Sequence, residues 1–336
     1  MTVVVPAFPP LPDGLVARPL TADDATPVAE LLAAAEPVDD TGEHFSAEDL
    51  AEFWVNDLVD LPRDGRAVCS PDGDLVGYAT TIAPPTFRDA FGVHLEGRVH
   101  PGWRGRGIGR ALLAWQLDRG AEIHAQRHPE ASARLTVTAH TTMPSLEALL
   151  RRAGLEQLRW FFHMERALVG LPGVPPVDGV DLVPFSWDRD DEVRRAHNVA
   201  FVEHYGSSER DATSWEVMFT GQRAFRPDLS VLAVRDGSVV GYVLAYVYES
   251  DTAATGVRTT YFGQIGVLPQ ARGLGLAKAV IARALEVAAE SDCQAAALEV
   301  DGENSSGAQR LYEAMGFATT HTQVSWSRRI APLAAR

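Results

Sequence analysis

The 336-residue chain has only two cysteines, Cys69 and Cys293. So few exclude a disulfide framework and a cysteine-built zinc site, and fit buried thiols in a reducing compartment. The ten histidines show no metal-ligand spacing, so no metal is expected. Positive charge is also in short supply. Thirty Lys and Arg against 45 Asp and Glu leave a net charge of −15. That argues against a nucleic-acid-binding surface, whose footprint is basic, and suits a soluble protein whose field attracts cationic partners such as amines. No run approaches the ~20 apolar residues of a membrane span. The opening MTVVVPAFPPLPDG has no basic segment and is interrupted by prolines. It does not read as a secretion signal, and a cytoplasmic location, with no membrane partner, is expected. A phosphate loop of the form G-x-x-x-x-G-K-[ST] is absent as well.

What is present is written twice. VHPGWRGRGIG (Val99–Gly109) returns as VLPQARGLGLA (Val267–Ala277). The match pairs Val99 with Val267, Pro101 with Pro269, Arg104 with Arg272, Gly105 with Gly273 and Gly107 with Gly275. The parallel extends outward. Arg66–Ile82 resembles Ser230–Val247, each two β-rich runs around an Asp-Gly turn. Ala133–His140 parallels Ala295–Gly302 as a short strand. Leu146–Leu155 parallels Ala308–Phe317, both short amphipathic helices stopped by glycine. RWFFHMERAL and TQVSWSRRI close the halves as last strands. The Pro- and Gly-rich stretch Val169–Asp181 reads as a linker. The repeat is too long for a solenoid. The pattern predicts an α/β (α+β) protein of two tandem domains, 1–170 and 178–336. Each is expected to hold a mixed, mostly antiparallel sheet flanked by helices.

The repeated turn has a physical meaning. The first amides of a helix lack intrahelical partners, and the helix dipole adds partial positive charge there. Glycines let a ligand approach the backbone closely. A strand, an R-x-x-G-x-[G/A] turn and a helix therefore make an anion site, typically for phosphate. A dinucleotide-binding reading is poor, because each turn follows several strands instead of the first.

These two turns resemble the acyl-CoA pyrophosphate loop of the GNAT superfamily of N-acyltransferases. ENSSGAQRLYEAMGF (Glu303–Phe317) resembles the closing segment of that family. The doubling resembles a mycothiol-synthase-like arrangement. The resemblance implies acetyl-CoA as cosubstrate, its pyrophosphate held by main-chain amides of Arg272, Gly273, Leu274, Gly275, Leu276 and Ala277. It implies that Val267 and Leu268 bond the pantetheine arm, that Ile265 and Gly266 lie beside the thioester, and that Asn304 contacts the cofactor. Tyr312 takes the place of the tyrosine that protonates the leaving thiolate, a task for which a phenol is suited at neutral pH. In the first half the cradle persists as Val99, Arg104, Gly105, Arg106, Gly107, Ile108 and Gly109. Leu150 there stands opposite Tyr312 and Thr142 opposite Asn304, so the first domain is expected to be catalytically degenerate.

The implied base departs from the family. Several members carry Glu six residues before the loop valine, where this chain has Tyr261. Glu249, Glu299, Glu203 and His204 are the candidates left, directly or through a water. Ser46–Leu58 and Ser207–Phe219, matched helical segments, are expected to wall the acceptor side. The expectation is an acetyl-CoA-dependent N-acetyltransferase, a monomer or homodimer, acting on a small-molecule primary amine through its second domain. The alternatives are a protein or peptide N-acetyltransferase and a non-catalytic acyl-CoA-binding regulator.

Overall fold

The computed structural model describes residues 5–12, 14–55, 59–84, 86–202, 204, 206–303 and 307–333. The first half runs β1 (Val16–Pro19), α1 (Ala25–Asp39), α2 (Ala47–Trp54), α3 (Leu61–Asp64), β2 (Gly65–Cys69), β3 (Leu75–Ile82), β4 (Phe91–Val99), α4 (Ile108–Arg127), β5 (Ala133–His140), α5 (Pro144–Arg152) and β6 (Glu156–Ala167). The second runs β7 (Asp181–Pro184), α6 (Asp190–Ala200), α7 (Ala212–Trp215), β8 (Val231–Arg235), β9 (Ser238–Tyr246), α8 (Glu249–Thr255), β10 (Thr259–Val267), α9 (Leu276–Glu290), β11 (Ala295–Asp301), α10 (Ala308–Ala314) and β12 (Ala318–Ile330).

Local chemistry sets several boundaries. The Ser46 hydroxyl accepts from the Asp49 amide while Asp49 reaches back to Ser46, a reciprocal cap that starts α2. Its counterpart is shorter than the matched sequence suggests. Asp211 caps at the Ser214 amide, so α7 begins only at Ala212. The β8–β9 hairpin turns on Asp236 and Gly237, both at positive φ, the backbone twist that a two-residue hairpin favours.

Two compact units result: Met1–Arg159 with Gln323–Arg336, and Trp160–Thr322. Unit 1 orders its strands β1-β2-β3-β4-β5-β12, and unit 2 orders its own β6-β11-β10-β9-β8-β7. Each sheet has one parallel pair, β4 with β5 and β10 with β11; the other pairings within each unit are antiparallel. The units depart from the spans 1–170 and 178–336 at the closing strands. Gln323–Ile330 of β12 pairs with β5, and Phe161–Ala167 of β6 pairs with β11. Apolar burial accounts for this placement. Val324 and Trp326 complete a core with Leu135, Val137 and Leu150 in unit 1. Met164 does so with Leu298, Val300 and Tyr312 in unit 2.

In unit 2, α9 and α10 cover one sheet face, while α6 and the segment through Trp215 and Phe219 cover the other around Tyr242 and Leu244. Unit 1 repeats this, with α4 and α5 on one face and α1 and α2 on the other.

Candidate active site

The site of unit 2 begins where two strands part. Parallel pairing of β10 with β11 covers Thr259–Tyr261 and Ala295–Ala297 and then stops. Past that point β11 keeps its pairing with β6, and β10 keeps its pairing with β9 after a bulge between Phe262 and Gln264. A notch opens between them. Leu268 donates its N–H to the Val240 carbonyl at 2.9 Å, so its amide serves β9 and is not offered to the notch. By the alternation of an antiparallel ladder, Val267 and Ile265 are the residues whose main-chain groups turn the other way. Gly266 lies opposite Tyr242, and a Cβ there would come within 2.5 Å of that ring. Any larger residue would have to displace the buried Tyr242 ring.

At the end of the notch the chain turns through Gly273 and Gly275, both at φ +78. L-residues rarely adopt that conformation. It leads directly into α9, whose first amides, Leu276 and Ala277 among them, have no intrahelical partner. Leu276 is buried and Leu274 exposed. Arg272 donates through Nε to the Val267 carbonyl at 3.3 Å and through Nη2 to the Ala200 carbonyl at 3.1 Å. Its charge thus complements the negative end of α6.

Tyr312 comes from α10 on the α9 side of the sheet. Its ring is buried beside Phe317, centroids 6.1 Å apart, and desolvation pushes its hydroxyl up to about 12. The phenol is protonated at neutral pH and available as a donor. Asn304 lies outside the described residues, as does Glu203.

The opposite face carries different chemistry. His197 on α6 holds its Nδ1 2.9 Å from the Tyr242 hydroxyl, and burial drives it down to about 3. That histidine is neutral at pH 7. Further along, Tyr246, Tyr248, Tyr261 and His163 form a row of rings with successive centroids 6.4, 6.3 and 6.2 Å apart. Of the base candidates, Glu249 is paired with Arg258 at 2.9 Å and largely exposed, and His204 lies against Phe201. Glu299 is on the notch wall, directly across from His163. Sequence reading missed His163 because it belongs to the last strand of the first half. It missed the His197–Tyr242 pair because the two residues are 45 apart in the chain and meet only when α6 packs on β9.

Unit 1 reproduces the turn and alters its surroundings. Gly105 and Gly107 have φ of +78 and +88, and Ile108 is buried at the start of α4, followed by Gly109. Val99 again precedes a residue, His100, whose N–H goes to the neighbouring strand, here at Val76. Arg104 donates through Nε to Val99 and grips Asp39 with two bonds of 2.7 and 2.8 Å. Arg106 lies over the Trp103 ring, 4.5 Å from its centroid. Where unit 2 has Gly266, unit 1 has Arg98. Its Nη1 lies 3.2 Å from the sulfur of Met143, between β5 and α5, and its Nε is 3.6 Å from Asp39. A charged side chain therefore bars the notch. The β3–β4 ladder runs without a bulge. Leu150 is the structural twin of Tyr312. Its carbonyl accepts from Ala153 and Leu155 as the Tyr312 carbonyl accepts from Met315 and Phe317.

Among the described residues no group of His, Cys, Asp or Glu could hold a metal, and no helix is long and apolar enough to cross a membrane. A glycine turn at a helix start, a notch between parting parallel strands and a buried phenol together define a CoA-dependent acyltransferase. The chain belongs to the acetyltransferase (GNAT) family, whose profile it matches over residues 28–141 and 191–317, and is an acyl-CoA-dependent N-acetyltransferase. It is 31% identical to a mycothiol acetyltransferase of Frankia alni over 90% of this chain and 91% of that one. Its structure resembles a GCN5-related N-acetyltransferase from Sphaerobacter thermophilus, with a TM-score of 0.77 and 26% identity over 97% and 99% of the two chains. A tandem GNAT protein from the clavulanic acid biosynthesis pathway shares the fold at a TM-score of 0.68 and 23% identity, over 94% and 98% of the chains.

Proposed function

We propose that unit 2 transfers the acetyl group of acetyl-CoA to the primary amine of a small molecule. The observation that carries this reading is the parting of β10 and β11 beyond Tyr261 and Ala297, directly ahead of the Gly273–Gly275 turn. The pyrophosphate is assigned to the amides from Arg272 to Ala277, and the pantetheine arm to Val267 and the notch side of β10. That places the thioester beside Ile265 and Gly266, near the bulge.

The neutral amine attacks the thioester carbonyl, and a main-chain N–H on the notch side of β10 is suited to stabilise the oxyanion. The C–S bond then breaks. Tyr312, a phenol protonated at neutral pH, gives its proton to the departing sulfur. Asn304 is assigned to the cofactor on resemblance alone. In unit 1, Val99 and Arg104–Gly109 are proposed as a weaker acyl-CoA site without turnover. The acceptor handled by mycothiol acetyltransferases is the first amine to try, alongside amino sugars, aminoglycosides, polyamines, amino acids and short basic peptides. The test is release of free thiol from acetyl-CoA with each. Release with a small amine supports the reading. Release with peptides alone replaces it with peptide acetylation, and release with none refutes transfer.

A further inference from the structure

We propose that His163, carried into unit 2 on β6, takes the proton that the acceptor amine loses; this rests on the transferase reading above. The base position of the motif holds Tyr261, whose phenol is a poor proton acceptor at neutral pH. The structure brings an imidazole to the same place from elsewhere in the chain. His163 stands directly opposite Glu299 on β11. Glu299 lies two residues beyond Ala297, where pairing with β10 ends, so it sits on the notch wall.

The alternation of strand side chains puts Tyr261, Ala297, Glu299, Glu165 and His163 on one sheet face. Met164, Leu298 and Val300 point to the other face, into the core that holds Tyr312. β10 and β6 flank β11, so their backbones are about 9.6 Å apart. The rings of Tyr261 and His163 are nevertheless 6.2 Å apart and within 9° of parallel. Both therefore lean over β11, between the levels of Ala297 and Glu299. The imidazole faces the acceptor side of the notch. Glu299, Glu165 and Tyr261 share that face, and the His321 ring stands edge-on to the imidazole at 6.0 Å.

Proton acceptor and proton donor thus occupy opposite faces of one sheet. The amine nitrogen forms the C–N bond, the C–S electron pair leaves with sulfur, Tyr312 protonates the sulfur, and His163 receives the proton from nitrogen. Solvent then returns a proton to Tyr312 and removes one from His163, so no further reactant is needed.

The test uses the full chain, acetyl-CoA and whichever amine of the panel above gives the fastest thiol release. His163→Phe keeps the ring packed on Tyr261 but cannot accept a proton. It is expected to lower kcat by about 100-fold or more, with KM for acetyl-CoA unchanged within about twofold. The wild-type rate profile is expected to carry an acid limb that is missing from His163→Phe. Added imidazole should restore activity to His163→Ala, which a merely structural role would not allow. Retention of activity by His163→Phe, or its loss with no imidazole rescue of His163→Ala, overturns the assignment and leaves the transferase reading intact. If the unaltered chain acetylates no amine, both fall together.

Discussion

The two units share a turn and differ in what surrounds it. Backbone conformation at Gly105–Gly107 and Gly273–Gly275 is nearly the same, and in both units the loop arginine ties back to the end of the first long helix. In unit 2 that anchor is a bare carbonyl, Ala200. In unit 1 it is the Asp39 carboxylate, which draws in Arg98 as well as Arg104. Arg98, standing where unit 2 keeps Gly266, then reaches Met143 beyond the end of β5. The duplicated turn has been retained, while its surroundings have diverged. Turn geometry alone therefore does not distinguish the two units; Arg98 against Gly266 and Leu150 against Tyr312 do.

The largest expected effect concerns that closing helix. Tyr312→Phe should reduce kcat by about 100-fold or more while leaving acetyl-CoA affinity nearly intact. Leu150→Tyr should restore nothing, because the notch beside it stays barred. Steady-state kinetics of both variants decide; equal losses of turnover and affinity in Tyr312→Phe would erase its catalytic role.

Next comes a contrast in stability. Arg119 and Asp64 form a buried 2.8 Å pair in unit 1, and desolvation pushes the Asp64 carboxyl up. Unit 2 has Val287 at the position matching Arg119. Arg119→Met should strand a buried carboxyl and destabilise unit 1 by about 3–5 kcal/mol. Urea unfolding followed by hydrogen exchange would locate the loss, and equal exchange in both units would contradict it.

A subtler change would sharpen the comparison. Arg98→Gly gives unit 1 the residue that unit 2 has, and Arg104 remains to satisfy Asp39. Acetyl-CoA binding to unit 1 is expected to strengthen about tenfold, or ~1.4 kcal/mol, as read by calorimetric titration. Two equal sites in the unaltered chain would instead show that Arg98 bars nothing.

A further contrast is a pH dependence from a group that only unit 2 carries. His197 is held at about 3 when folded, against about 6.5 when unfolded. Its folded value is depressed, so the unfolded chain takes up the proton first on acidification. The stability from burying neutral His197 is complete above about 6.5 and is lost between there and about 3, by at most about 1.4 kcal/mol per pH unit. His197→Gln should flatten the fall of the unfolding midpoint between pH 7 and 5; an unchanged slope would assign the acid sensitivity elsewhere.

Much of this was readable from sequence because it is local. Strand, turn and helix at Val99–Gly109 and Val267–Ala277 follow from proline, arginine and glycine at fixed offsets. Gly154 and Gly316 stop α5 and α10 with positive φ, as their positions predicted. Three features were not local. The alternating patterns of RWFFHMERAL and TQVSWSRRI specify strands but not which sheet receives them. Arg98 reads as a surface residue until Met143 and Asp39 are placed beside it. His163 gains meaning only when β6 lies next to β11.

The exchanged closing strands also bear on how the chain comes off the ribosome. Unit 1 is encoded first, yet β5 lacks one neighbour until Gln323–Ile330, encoded after unit 2, have emerged. Unit 2 has its β6 waiting from the outset. Domains ordinarily mature in the order they are synthesised. Here the second can complete its sheet before the first, and the nascent protein must shield the open edge of β5 throughout translation of unit 2.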